Sequence, residues 1–159
     1  VCSSDLTSSE RITQLSATFR AAGFKSPVVK DIRSEIWTKL WGNLAFNPIS
    51  ALTRADLAAI CADEGTRDLA ANMMREAQAI AEKLGIEFKI PLEKRIAGAA
   101  EVGAHKTSML QDLEAGRALE TEALIGAVAE LGTWVEVPSP AIQSVLACLR
   151  LLARTTLPS

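Results

Sequence analysis

Two groups of polar residues have types and spacing suited to chemistry on a carbonyl compound. Lys39, Asn43 and Asn47 stand four apart. On a helix that spacing makes a single stripe. A lysine can protonate a developing alkoxide or anchor an anion, and an asparagine amide both donates and accepts hydrogen bonds. The second group runs from His105 to Glu122 and contains Ser108, Asp112, Arg117 and Glu120. Ser108-Met109-Leu110-Gln111 fits a capping box. The same serine could present its hydroxyl and a helix N-terminus to a carboxylate. The blander readings stay open. Lys39 can snorkel to water, the asparagines can cap neighbouring helices, and the charges around Glu120 can form a solvated face. His105 is the only histidine. Without a second histidine or cysteine at ligand spacing it reads as a loop residue, and no metal site is expected.

The elements that must hold these residues read as helices. Helical period predicts segments over 9–22, 29–45, 66–83, 91–102 and 108–131, the last broken near Gly116 and closed by Gly132. A short helix from an N-cap at Thr53 to Cys61 is expected, and a final one from Ser139-Pro140 to Leu152. The second helix should end at Asn47-Pro48. Its apolar stripe is Ile32, Ile36, Leu40 and Leu44. The lysine–asparagine stripe falls within roughly 60° of Ile36. That places Lys39 inward and Trp41 outward, so Trp37 and Trp41 are expected on a partner surface. In 66–83, Leu69, Met73, Ala77, Ile80 and Leu84 share one face, with Gly85 after the end. Strand signals are thin, confined to Gly85–Ile90. The fold class is all-α, packed around one core.

Composition excludes several functions. A net charge of -2 provides no basic footprint for nucleic acid. No apolar run approaches the ~20 residues of a membrane span. Cys2, Cys61 and Cys148 are too far apart for a zinc site or a disulfide framework, and the last two should be buried small hydrophobes. A cytoplasmic location is the simplest reading.

Two segments together resemble the ketopantoate reductase (2-dehydropantoate 2-reductase) family. One is Asp31 to Pro48, with Trp37, Lys39, Asn43 and Asn47. The other is Lys106-Thr107-Ser108-Met109-Leu110-Gln111-Asp112, followed by Gly116-Arg117 and Glu120. The resemblance covers the chain from about residue 9 onward. It implies an all-α multi-helix bundle of the 6-phosphogluconate dehydrogenase C-terminal-like type, without the N-terminal Rossmann domain. It also implies NADP-dependent reduction of a 2-keto acid in pantothenate biosynthesis. Lys39 would be the general acid, and Glu120 would orient it and bind the substrate hydroxyl. Asn43 and Asn47 would position substrate hydroxyls, and Ser108 would hold the carboxylate. Around Glu120 the chain reads Arg117-Ala118-Leu119-Glu120-Thr121-Glu122, with Ile125 before Gly126, where the family has Arg-x-Thr-Glu-Ile-Asp and commonly asparagine. That difference bears on which keto acid is taken.

None of the nine glycines forms Gly-x-Gly, so this chain alone should not hold a dinucleotide. NADP would be bound mainly by the missing domain. Residues 1–8 are expected to be a disordered or non-native end and 9–28 the end of the nucleotide-binding domain. Residues 29–159 are then the C-terminal helical domain. The expected partners are a small 2-keto acid, the Rossmann half and a second subunit. A relative acting on another 2-keto or 3-oxo acid, or a non-catalytic helical dimerisation module, stands as the alternative.

Overall fold

The computed structural model describes residues 9–156, so the expectation for residues 1–8 lies outside it. All regular structure among the described residues is helical. Two compact units divide between Ile36 and Trp37.

The first unit contains α1 (Glu10–Ala21) and the start of α2 (Ile32–Thr53). Ser9 caps α1 by accepting from the Ile12 amide. Gly23 follows with φ 88°, the left-handed conformation that ends a helix at least cost. Phe19 and Phe24 meet edge to face at 6.3 Å. Asp31 accepts from the Ser34 amide at 3.1 Å and so caps α2.

The second unit contains the rest of α2, then α3 (Leu57–Ala62), α4 (Glu64–Lys83), α5 (Leu92–Glu101) and α6 (Ser108–Glu114). A π-helical turn (Glu122–Gly126), α7 (Ala127–Trp134) and α8 (Pro140–Thr156) follow. The expected stripe of α4 is present: Met73, Ala77 and Ile80 are fully buried, with Leu69 and Leu84 packed beside them.

Helix α2 departs from expectation in two ways. It runs through Pro48 to Thr53 instead of ending at Asn47. Proline in a helix interior costs about 3 kcal/mol or more. Leu44, Phe46 and Ile49 are all buried here. Each such side chain contributes about 1.5–3 kcal/mol, so burial outweighs the proline. The inward direction is also different. Ile36 is 55% exposed, whereas Trp41 is 1% exposed and Trp37 is buried. The Trp41 indole donates to the Met74 carbonyl of α4 at 2.6 Å, and its ring lies 4.2 Å from that of Phe88. Trp37 and Trp41 are therefore core residues, and the partner surface expected of them is withdrawn.

Helix ends account for the other corrections. Thr53 closes α2: its hydroxyl donates to the Ile49 carbonyl at 2.7 Å and accepts from the Ala55 amide. Asp56 is the residue that caps α3, accepting from the Ala59 amide at 2.8 Å. The cap of α6 is Thr107, not Ser108. Gly116 does break the chain, at φ 67°. Gly132 lies inside α7, and the positive φ beyond that helix belongs to Glu136. A Cβ on Gly132 would sit 2.9 Å from Ile80 Cδ1, so close packing is what requires glycine there. Ser139 does not cap α8. The Glu76 carboxylate does, accepting from the amides of Ala141 at 2.8 Å and Ile142 at 2.9 Å. Cys61 is buried as expected, but Cys148 is exposed.

Candidate functional site

From Trp41 onward α2 is buried on almost all sides, so it has two working faces. One carries Trp41 against α4. Asn43 lies about 200° further round, and Asn47 about 40° beyond that. This second face opens onto a cleft of about 280 Å³. The cleft is small, at the lower edge of the roughly 300–1,000 Å³ typical of ligand pockets. Helix α2 contributes Gly42, Asn43, Phe46 and Asn47. Helix α5 contributes Arg95, Ala99 and Val102 at its end. Leu57 opens α3, and His105, Thr107 and Ser108 lead into α6.

Hydrogen bonding fixes the rim. The Leu57 amide donates to the His105 carbonyl at 3.1 Å, which ties the start of α3 to the segment before α6. The Thr107 hydroxyl accepts from the Leu110 amide at 3.3 Å. With Thr107 serving as the cap, the Ser108 side chain is left for other work. Among the described residues, the side chains of Asn43, Asn47, Ser108 and Arg95 have no protein hydrogen-bond partner. Asn47 is nevertheless buried. Its unpaired amide is not among the fully buried polar atoms, so water or a ligand in the cleft can reach it. Four unpaired polar groups line one small cleft, with no carboxylate in its lining, and are chemically able to hydrogen-bond an oxygen-rich or anionic small molecule.

The other two expected site residues stand apart. Lys39 is exposed, one turn or about 6 Å along α2 from Asn43 toward its N-terminus. Its inward orientation is withdrawn, because the tryptophans take the inner face. Glu120 is also exposed and borders a different concavity with Leu119, Thr121, Glu122, Arg150 and Arg154. Among the described residues the two form no ion pair, so the buried lysine–glutamate pair is absent. The charges flanking Glu120 do make local pairs. Arg117 bonds Asp112 at 2.6 Å and Arg150 bonds Glu122 at 2.6 Å. The Arg150 guanidinium holds the Glu122 carboxyl below the usual carboxylate range. No cluster of three or more histidine, cysteine or carboxylate side chains is placed to hold a metal among the described residues.

Arg95 was missed in the sequence. It stands four before Ala99 and seven before Val102, which puts it on the face α5 turns toward the cleft. That spacing was a legible signal.

The family model "Ketopantoate reductase PanE/ApbA C terminal" matches residues 31–153. A curated 2-dehydropantoate 2-reductase from Mesorhizobium japonicum is 62% identical over 145 residues, which is 91% of this chain and 44% of that protein. One from Archaeoglobus fulgidus is 34% identical over 114 residues, 71% of this chain and 38% of its own length. The crystal structure of 2-dehydropantoate 2-reductase from Methylococcus capsulatus superimposes with a TM-score of 0.87 at 34% identity, covering 95% of this chain and 53% of that one. The chain spans less than half the length of these two curated relatives. Placed beside the cleft on which Asn43, Asn47 and Ser108 converge, these matches mean that the chain belongs to the ketopantoate reductase family and corresponds to its C-terminal helical part.

Proposed function

We propose that this chain is the substrate-binding part of an NADP-dependent 2-dehydropantoate 2-reductase, an enzyme of pantothenate synthesis in the cytoplasm. The observation that carries the reading is the convergence of unpaired Asn43, Asn47 and Ser108 on one small cleft. Relatives with this helical part are named for that reaction. On this reading residues 9–28 are the end of a nucleotide-binding domain and 29–159 the substrate domain.

The amides of Asn43 and Asn47 bind the hydroxyl and carbonyl oxygens of the keto acid, and the Ser108 hydroxyl donates to its carboxylate. Lys39, at the solvent end of the same face, donates its proton to the carbonyl oxygen as negative charge develops there. Glu120 borders a separate concavity, and its role in holding the substrate hydroxyl and the Lys39 ammonium rests on the family resemblance alone. The described residues contain no strand and no Gly-x-Gly turn, so they do not fit a dinucleotide pyrophosphate. The nicotinamide donor is assigned to the remainder of the protein.

The test uses the full-length enzyme that contains this chain. Lys39→Ala should lower kcat for 2-dehydropantoate by about 10²-fold or more, with helicity unchanged. Ser108→Ala should raise KM. Because Thr107 is the cap, it should do so without loss of stability. A wild type that reduces no 2-oxo acid, or a Lys39→Ala variant with most of its kcat, would overturn the reading.

A further inference from the structure

Among the described residues, Arg95 is the one arginine or lysine that lines the cleft. A Cβ built on Gly42 would sit 2.4 Å from Arg95 Nη2, 2.9 Å from Cζ and 3.3 Å from Nε. The guanidinium therefore packs against α2 at Gly42, and a side chain at that position would displace it. Gly42 itself is buried, and Arg95 is half-buried. Among the described residues no carboxylate pairs with Arg95, whereas Arg117 and Arg150 each have one. Glu93 and Glu101 share α5 with it but are exposed and absent from the cleft lining. A partly desolvated guanidinium without a counter-ion, beside neutral amides and a hydroxyl, is an anion site. Its planar fork matches the two oxygens of a carboxylate.

We propose that Arg95 is the carboxylate-binding residue of the cleft, seated by Gly42, and that it selects 2-oxo acids over their uncharged analogues. The inference rests on the reading of the cleft as a keto-acid site. It adds a charge to a subsite that Ser108 alone would serve with one neutral donor. Apolar Phe46, Leu57 and Ala99 complete the wall. They keep the local dielectric low, which strengthens the ion pair.

The full-length enzyme provides the test, with wild type, Arg95→Gln, Arg95→Lys and Gly42→Ala compared. Substrates are 2-dehydropantoate and its amide, and pantoate is the calorimetric probe of binding. Gly42→Ala keeps the charge but pushes the guanidinium off its seat. Arg95→Gln and Gly42→Ala should each raise KM for the acid about 10- to 100-fold, the scale of a lost hydrogen bond to a charged group. KM for the amide should stay within about twofold. Arg95→Lys, a point charge without the fork, should recover only part of the loss. If the wild type reduces the acid but Arg95→Gln leaves the acid-to-amide preference intact, Arg95 is not the anchor and the enzymatic reading stands. If the wild type binds pantoate through Arg95 but reduces no oxo acid, the anchor stands and the enzymatic reading falls. A wild type that does not bind pantoate overturns the anchor.

Discussion

The start of α8 offers a perturbation whose outcome differs in sign between two residues. Ser139 precedes Pro140 at the first helical position, the usual signature of a serine cap. Yet the Ser139 hydroxyl is buried and makes no hydrogen bond. The amides of Ala141 and Ile142 are instead taken by the two oxygens of Glu76, at 2.8 and 2.9 Å. Glu76 lies in the middle of α4, so this cap also fastens two helices that are far apart in sequence. Loss of an N-cap costs about 0.5–2 kcal/mol, and loss of a negative charge at a helix N-terminus about 0.3–1 kcal/mol. Since Glu76 is only half-buried, Glu76→Ala should cost about 2 kcal/mol. Glu76→Gln keeps one acceptor but turns an N–H toward the other amide, so it should cost about 1 kcal/mol. Ser139→Ala removes an unpaired buried hydroxyl and should be neutral or stabilising by up to about 1 kcal/mol. Were Ser139 the cap, the same change would destabilise by about 1 kcal/mol. Urea unfolding followed by far-ultraviolet circular dichroism measures all three. A loss of a full kcal/mol in Ser139→Ala, together with a negligible one in Glu76→Ala, would refute the assignment.

Two other outcomes are expected. Trp41→Phe should cost about 2 kcal/mol in the same unfolding assay, because it removes the bond to the Met74 carbonyl and part of the contact with Phe88; a cost under about 0.5 kcal/mol would mean that Trp41 is not the core residue described. Acid should weaken the fold partly through Asp63, the cap of α4, whose carboxyl is held below its ordinary value chiefly by the Thr66 amide and hydroxyl. The unfolded chain binds the proton first, so this contribution is full above the ordinary carboxylate pKa of about 3.9 and is lost as pH falls through the lower folded value. Asp63→Asn keeps a capping oxygen and should flatten that part of the acid limb; an unchanged slope of urea midpoint against pH would show that Asp63 contributes nothing to it.

What could be read from the sequence depended on how many faces each helix buries. α4 is buried along one stripe, and there period alone found the core: Met73, Ala77 and Ile80. α2 is buried on nearly all sides after Trp41, so period no longer specifies a direction. Ile36 and Trp41 lie about 140° apart, and each could have been taken as the centre of the apolar face. Area decides between them. Each large aromatic buries about 150–250 Å², and turning α2 to bury Trp37 and Trp41 leaves Ile36 outside. Pro48 misled for a related reason, since a local preference of about 3 kcal/mol was set against burial that only the folded chain supplies. Caps were misplaced where several local acceptors stand close together, with Thr53 taken for Asp56 and Ser108 for Thr107. They were not legible where the acceptor comes from another helix, as at Glu76.

The grouping of Asn43 with Asn47 was more legible than the direction of the helix that carries them. A stripe of asparagines four apart has the same internal geometry whichever way the helix turns, so Asn43 and Asn47 stay together on one face. The tryptophan face sets what that face can be. With the Trp41 indole anchored on α4, another side of α2 faces α3, α5 and the lead into α6 across the cleft, and it is the side on which polar groups are left without partners. Lys39 shares that side but sits a turn further out, where α2 is exposed. A lysine there keeps its ammonium hydrated, so no desolvation cost falls on the isolated helical part. The asparagines and Ser108 thus line a cleft of the bundle, whereas Lys39 and Glu120 stand at its surface. On the proposed reading the cleft groups hold the keto acid, and Lys39, one turn along α2 from Asn43, is the proton donor.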